Sequence, residues 1–376
     1  MTSQTLPRPI WVDQQKNYEH MLADFSAQTR IAVDTESNSL HAYRERVCLI
    51  QFSTQKSDYV VDPLVFRELD SLAPIFSDPH KEKIFHAAEY DLICLKRDYE
   101  FTFARLFDTM QAARILGYPQ VGLDSLLAEK FGLKMDKRHQ KADWGARPLT
   151  LSQIDYARFD THYLFQLRDL LEQELREKGR WEIAQEDFAL ACHVGEPKER
   201  NSNGASWKRF AFRKDLSLRE LTVVSELCLL RDRIAERLDR PVFKVIGDDM
   251  LMDIARKLPE KDVDLAGIGL SPKQINLWGQ EILAATQRGL AAPLVKRELP
   301  KHPKDAVLKR LEKLKNWRKK LARELAVESD IILPKMYLSM LSENPPGSLQ
   351  DLEIVMRKTP TRFQKYGTEI YRLIGD

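Results

Sequence analysis

"RIAVDTESNSLHAYRERVCLIQFSTQKSDYVVDP", residues 30–63, decides the fold class. It holds three β-rich runs, RIAVDTES (30–37), RVCLIQFST (46–54) and DYVVDP (58–63). Only a few residues separate them, too few for a helical crossover, so they predict an antiparallel meander. Downstream the pattern changes. SLAPIFSD (71–78) is helical, KIFHAA (83–88) is a buried strand, and a helix beginning near Glu89 leads to LFDTMQAARILG (106–117). Strands that alternate with helices pair in parallel. The expectation is an α/β fold: a mixed sheet with helices on its faces.

The first of these strands carries Asp34 and Glu36 two residues apart, so both carboxylates leave one face while Val33 leaves the other. Taken alone, such acids form a solvated strand end. Asp91 falls in the first turn of the helix after KIFHAA, where an acid suits the helix dipole. A third acidic position lies in "LTLSQIDYARFDTHYLFQLRDLLEQEL" (149–175), which predicts one helix opened by a Thr150/Gln153 capping box. Its inward face would hold Tyr156, Asp160, Tyr163, Leu167 and Leu170, with Asp155, Arg158, His162, Arg168 and Asp169 pointing elsewhere. A carboxylate on a buried stripe needs compensation by a cation, donors or a metal. Asp34, Glu36, Asp91 and Asp160 belong to elements expected to pack on one sheet. Four such oxygen donors suit one or two hard cations, Mg²⁺ or Mn²⁺, as in phosphoryl transfer. Tyr156, one helical turn before Asp160, would place its hydroxyl over the same site to hold a water.

The length of 376 residues leaves room for two or three domains, and 31% charged residues nearly cancel to +3, so affinity for an anionic partner must come from local clusters. Cys48, Cys94, Cys192 and Cys228 form no CxxC pair, which fits reduced thiols. Without a long apolar run or a signal-like N-terminus, a cytoplasmic location and no membrane partner are expected. The α/β region is assigned to 1–195 and a polar linker to 196–214. A helical domain at 215–290, a linker at 291–305 and a second helical domain at 306–376 follow. The helical domains repeat: Arg231 aligns with Arg318, Ala235 with Ala322, Leu251 with Leu338 and Pro259 with Pro346 at an offset of 87 residues, and Gly279 and Glu281 with Gly367 and Glu369 at 88. The second linker is expected to let the last domain be removed without exposing the core of the α/β region.

DTE (34–36), HAAEYDL (86–92) and YARFD (156–160), in that order, resemble the three motifs of the DEDD 3′-to-5′ exonucleases, and Tyr four residues before Asp resembles the tyrosine branch. With DWGARPL (143–149) and the helical repeat, the chain is similar to the bacterial ribonuclease D family, from about residue 10 to 373. The resemblance implies an RNase H-like exonuclease domain followed by two all-α HRDC-like domains. It implies Asp34, Glu36, Asp91 and Asp160 as ligands of two divalent metal ions, with Tyr156 orienting the attacking water and Glu36 near the terminal ribose. The implied partner is RNA with a free 3′ end, tRNA precursors in particular, trimmed to release nucleoside 5′-monophosphates, with no obligate protein partner. A DNA exonuclease of proofreading type and a noncatalytic RNA-binding protein are the rival readings. The chain departs from the family at Ser37, where a bulky residue is common, and in AVESDIIL (326–333), which lacks the Arg-Pro of LDRPVF (238–243).

Two stretches suit nucleic acid. In KMDKRHQKADWGARPL (134–149), Lys134, Lys137, Arg138, Lys141 and Arg147 could hold phosphates while Trp144 stacks on a base; the same stretch also reads as a solvated loop anchored by a buried Trp. Residues 301–323 carry ten Lys or Arg, among them Lys315, Arg318 and Lys319, against two acids. They form a phosphate-tracking surface or simply a solvated helix face.

Overall fold

The computed structural model describes residues 7–195, 205–297 and 303–375. Parts of both expected linkers, 196–204 and 298–302, lie outside the described residues, as does the start of the basic run at Lys301 and His302. The chain divides into two compact units. One joins residues up to 37, 47–197 and 303–376; the other joins 38–46 with 198–302.

The first unit is built on a six-stranded mixed sheet of β1 (Ile10–Val12), β2 (Arg30–Ser37), β3 (Val47–Ser53), β4 (Asp58–Val61), β5 (Glu82–Phe85) and β6 (Leu106–Asp108), in the order β1-β4-β3-β2-β5-β6. The expected meander is there: β2 pairs antiparallel with β3, and β3 with β4. β5 and β6 then add in parallel on the other side of β2. The acid-bearing strand is therefore internal, with its neighbour β3 buried along its whole length. β1, a parallel partner of β4, was not expected, because three residues are too short to show alternation.

Around the sheet lie α1 (Gln15–Ala27), α2 (Ala73–Ser77), α3 (Glu89–Tyr99), α4 (Thr109–Leu116), α5 (Leu123–Phe131), α6 (Leu151–His162), α7 (Leu164–Glu177) and α8 (Trp181–Ala191). The single helix expected over 149–175 is two. The Thr150/Gln153 capping box opens α6 as expected, but Tyr163, at φ −96° and ψ 1°, separates α6 from α7. The break rotates the face that follows it, so Leu170 is exposed instead of inward; on α6 itself Arg158, expected to point elsewhere, is buried and donates to the Pro7 carbonyl.

The helical repeat is reproduced element by element. α9 (Leu218–Arg237), α10 (Asp248–Lys257), α11 (Asp262–Ile268) and α12 (Pro272–Ala291) form one copy; α13 (Asp305–Glu324), α14 (Ser329–Ile332), α15 (Lys335–Glu343), α16 (Leu349–Val355) and α17 (Pro360–Gly375) form the other. Even the divergent AVESDIIL keeps the plan: α14 stands where the first copy has a 3-10 turn, Val242–Lys244. The first copy is larger than its expected bounds. Residues 205–210, read as linker, form a 3-10 turn whose Phe210 is buried in this core, and the loop 38–46 adds Tyr43 to it, with the Tyr43 N–H donating to Asp239 at 3.0 Å. Residues 292–297 are not free linker either, since the Val295 N–H donates to Thr222 Oγ1 at 3.1 Å.

The second copy packs within the sheet unit. Its Ile331 joins the hydrophobic core built on the sheet. Arg362, fully buried, pairs with Glu186 at 2.9 Å and Asp187 at 2.8 Å on α8, and its Nη2 donates to the Ile331 carbonyl at 2.9 Å. Arg114 on α4 pairs with Asp330 at 2.7 Å and also with Glu328. Gly117, at φ +85°, ends α4 where a Cβ would lie only 2.3 Å from the Ala326 carbonyl oxygen, so both conformation and contact require glycine. Cutting near residue 295 would therefore uncover part of the sheet domain, contrary to the expectation for that linker.

Candidate active site

β2 ends its buried half at Val33 and then turns Asp34 and Glu36 out on one face, toward α6. The four-residue spacing on α6 stacks Tyr156 over Asp160 on the side that meets β2 and β3. Carboxylate oxygens of Asp34, Glu36 and Asp160 lie within 4.8 Å of one another. Asp91, buried in the first turn of α3, stands outside that group of three and accepts a hydrogen bond from the Thr35 hydroxyl. A cavity of about 330 Å³ opens over these groups, lined by Asp34, Glu36, Asp160 and Tyr156 and also by His86 and Lys137.

The electrostatics follow from placing acids together out of water. Burial, then the neighbouring Asp160, holds Asp34 well above the usual carboxylate range; burial, then Asp34, Asp160 and Asp91, does the same to Glu36. Asp91 is raised by burial and then by Asp34, and Asp160 is pushed up to about 7 by burial and then by Asp91. A divalent cation would compensate four acids that raise one another, and hard carboxylate oxygens are the donors that Mg²⁺ or Mn²⁺ prefers. The donor set fits such ions. Burial and the same acids drive the Tyr156 phenol far above its ordinary value, so it keeps its proton and can donate.

The expected nucleic-acid residues fare differently. Trp144 is 1% exposed and stacks on Tyr156 at 6.0 Å, so it anchors the loop under the site and is closed to a base. Arg147 makes a two-pronged pair with buried Asp62, at 2.7 and 2.8 Å, and donates to the Cys48 carbonyl at 2.9 Å. It ties the loop to the sheet and has no reach for phosphate. Replacing Arg147 by Ala leaves Asp62 buried without its cation, so the expected result is a lowered Tm with little change in the salt dependence of RNA binding, measured by thermal unfolding and by titration at several salt concentrations. Lys137 pairs with Asp124 at 2.5 Å and Arg138 with Asp136 at 2.7 Å; Lys134 and Lys141 are exposed. On α13, Arg318 donates to the Leu333 carbonyl at 2.8 Å, as its repeat partner Arg231 donates to Ile246 at 3.1 Å, so it belongs to the internal frame. Lys315 and Lys319 are exposed, and among the described residues no ion pair engages them. His86 was part of a quoted motif but was not singled out, because nothing in a sequence shows that one residue past a strand faces a cavity.

The 3′-5′ exonuclease family matches residues 9–176, and the HRDC domain family matches residues 220–286 and 307–374. Protein RRP6-like 1 of Arabidopsis thaliana is 34% identical over 266 residues, 66% of this chain and 41% of that protein. Exosome complex exonuclease RRP6 of Saccharomyces cerevisiae is 34% identical over 277 residues, 69% of this chain and 37% of that protein. The chain thus spans about two-fifths of the length of these relatives. The crystal structure of the catalytic core of RRP6 from Trypanosoma brucei superposes with a TM-score of 0.66 at 28% identity, covering 78% of this chain and 82% of that one. Escherichia coli RNase D shares the fold with a TM-score of 0.68 at 23% identity, covering 96% of this chain and all of that one. An acidic cleft between an internal strand and a Tyr-bearing helix, on a sheet of this order and followed by two copies of one helical module, places the chain in the 3′-5′ exonuclease family with tandem HRDC domains.

Proposed function

We propose that the chain is a metal-dependent exoribonuclease that trims RNA from the 3′ end, tRNA precursors among its substrates, and releases nucleoside 5′-monophosphates. The convergence of the Asp34, Glu36 and Asp160 carboxylates within 4.8 Å, with Tyr156 above them, carries this reading. These three with Asp91 would hold two divalent ions, Mg²⁺ or Mn²⁺, which supply an activated water and charge stabilisation for the departing 3′-oxygen. Every other part belongs to the chain. Thr35 fixes the Asp91 carboxylate, Trp144 sets the height of the Tyr156 ring, and the protonated Tyr156 hydroxyl aims the attacking water.

The direct test uses end-labelled tRNA precursor and matched DNA, with Mg²⁺, with Mn²⁺ and with chelator. Stepwise loss of 3′ nucleotides as 5′-monophosphates, abolished by chelator and faster on RNA, is expected. Metal-independent cleavage or internal cuts would refute the proposal, and faster cleavage of DNA would favour the proofreading rival. Because Tyr156 orients water and binds no metal, Tyr156→Phe should lower kcat by about 100-fold, the lower range for one positioned catalytic group. Metal affinity, followed by calorimetry, should stay unchanged; if it falls with kcat, the tyrosine supports the ligands instead.

A further inference from the structure

His86 stands one residue past β5 on the wall of the active-site cavity. β2 and β5 pair in parallel as far as Ala32 opposite Ile84, and Asp34 and His86, each two residues further on, both line that cavity. Its Nδ1 lies 2.9 Å from Thr109 Oγ1, and the Thr109 hydroxyl donates to the Phe85 carbonyl at 3.1 Å. A hydroxyl has a single proton to give, so toward His86 it can only accept. Nδ1 therefore carries the ring proton and Nε2 presents a lone pair. Burial also lowers the ring's basicity, against the pull of Asp108 and Asp124. With Nδ1 turned to the fully buried Thr109, Nε2 is the nitrogen left for the cavity that His86 lines.

The chemistry of the occupant follows from this lone pair. A scissile phosphate held at the carboxylates offers only acceptors, and the next part of the nucleotide is the sugar, whose only donors are hydroxyls. Asp34 and Glu36 already give acceptors on the β2 side for one of the two neighbouring hydroxyls of a 3′-terminal ribose. We infer that His86 Nε2 accepts a hydrogen bond from the 2′-hydroxyl of that terminal ribose and makes the site prefer RNA ends over DNA ends. The inference rests on the exoribonuclease reading above. The 2′-hydroxyl is the group by which a protein separates the two nucleic acids, and a site built to bond a hydroxyl discriminates against the analogue that lacks it.

The test uses RNA oligonucleotides that differ only in the last nucleotide: ribose, 2′-deoxy or 3′-deoxy, each with A and with U as the base. Wild type should remove a 2′-deoxy end about 10-fold more slowly than a ribose end, a size typical of one lost hydrogen bond that leaves its partner unpaired. His86→Phe should remove both at the same rate, whereas His86→Gln, which can return an acceptor to the same place, should keep part of the preference. A Tm within the wild-type range shows that the Phe variant is folded; if it is not, the Gln variant and the wild-type 2′-deoxy penalty decide. A 2′-deoxy penalty that persists in His86→Phe overturns the inference. So does a wild type indifferent to the 2′-hydroxyl, or a His86 effect that follows the 3′-hydroxyl or the A-versus-U difference. Wild type inactive on every RNA end would instead sink the exoribonuclease reading itself.

Discussion

Asp160→Asn should abolish RNA cleavage while raising the stability of the metal-free protein. The activity loss comes from removing one of three converging carboxylates, and it should exceed the roughly 10–100-fold typical of losing a partner outside the ligand set. The gain in stability comes from the same geometry. Asp160 titrates at about 7 in the folded protein because burial and Asp91 oppose its charge. A folded-state value above the unfolded one favours the protonated form, so the stability it contributes is complete below about pH 4 and is lost as pH rises through about 7. Metal-free wild type should accordingly melt lower at pH 8 than at pH 5.5, and Asp160→Asn should flatten that slope. Saturating Mg²⁺ should raise the wild-type Tm by linkage and leave the Asn variant nearly unmoved. Thermal melts at two pH values, with and without Mg²⁺, check all three statements; a normal Mg²⁺ response in Asp160→Asn would remove this residue from the ligand set.

Arg362→Ala should be the most destabilising single change outside the site. Arg362 is fully buried and answers two acids, Glu186 and Asp187, of which Asp187 stays above its usual range because burial outweighs the cation even when present. Deleting the cation leaves both carboxylates buried without a counter-charge, though Glu186 keeps the backbone N–H of Thr361 and Asp187 keeps Gln111, at a cost of about 3–5 kcal/mol. At 2–4 °C per kcal/mol for a unit of this size, Tm should fall by roughly 6 °C or more. The loss belongs to uncompensated charge and not to packing alone, so the triple variant Arg362→Met, Glu186→Gln, Asp187→Asn should recover most of it. Failure of that recovery in a thermal melt would assign the effect to shape. Removing residues from about 295 onward deletes Arg362 and Ile331 together, and the truncated protein should be less stable than Arg362→Ala.

The placement of the acids in the cleft was legible because it depends on short-range periodicity. Two residues apart on a strand and four apart on a helix place Asp34 with Glu36 and Tyr156 with Asp160, whatever the rest of the chain does. The duplicated helical module was legible for the same reason, as an offset of 87 residues that the helix boundaries keep. What escaped reading depends on contacts between distant residues. Arg147 and Arg318 look like any surface cation until Asp62 and the Leu333 carbonyl claim them. Trp144 could stack or anchor until its burial decides. β1 finds its strand partner in β4, almost fifty residues later, and the packing of α14 and α17 on the sheet domain has no local signature at all.

That packing has a consequence for the birth of the protein. Glu186 and the residue that neutralises it are 176 positions apart, and one complete helical module with its own core is encoded between them. Synthesis at about 5–20 residues per second puts some 10–35 s between the two events. Throughout that interval the nascent sheet domain carries a pair of acids without their cation and a notch awaiting Ile331. The sheet domain is thus made first and finished last, and a ribosome stalled before codon 331 would hold a domain with the acids of its cleft present and its structural keystone missing.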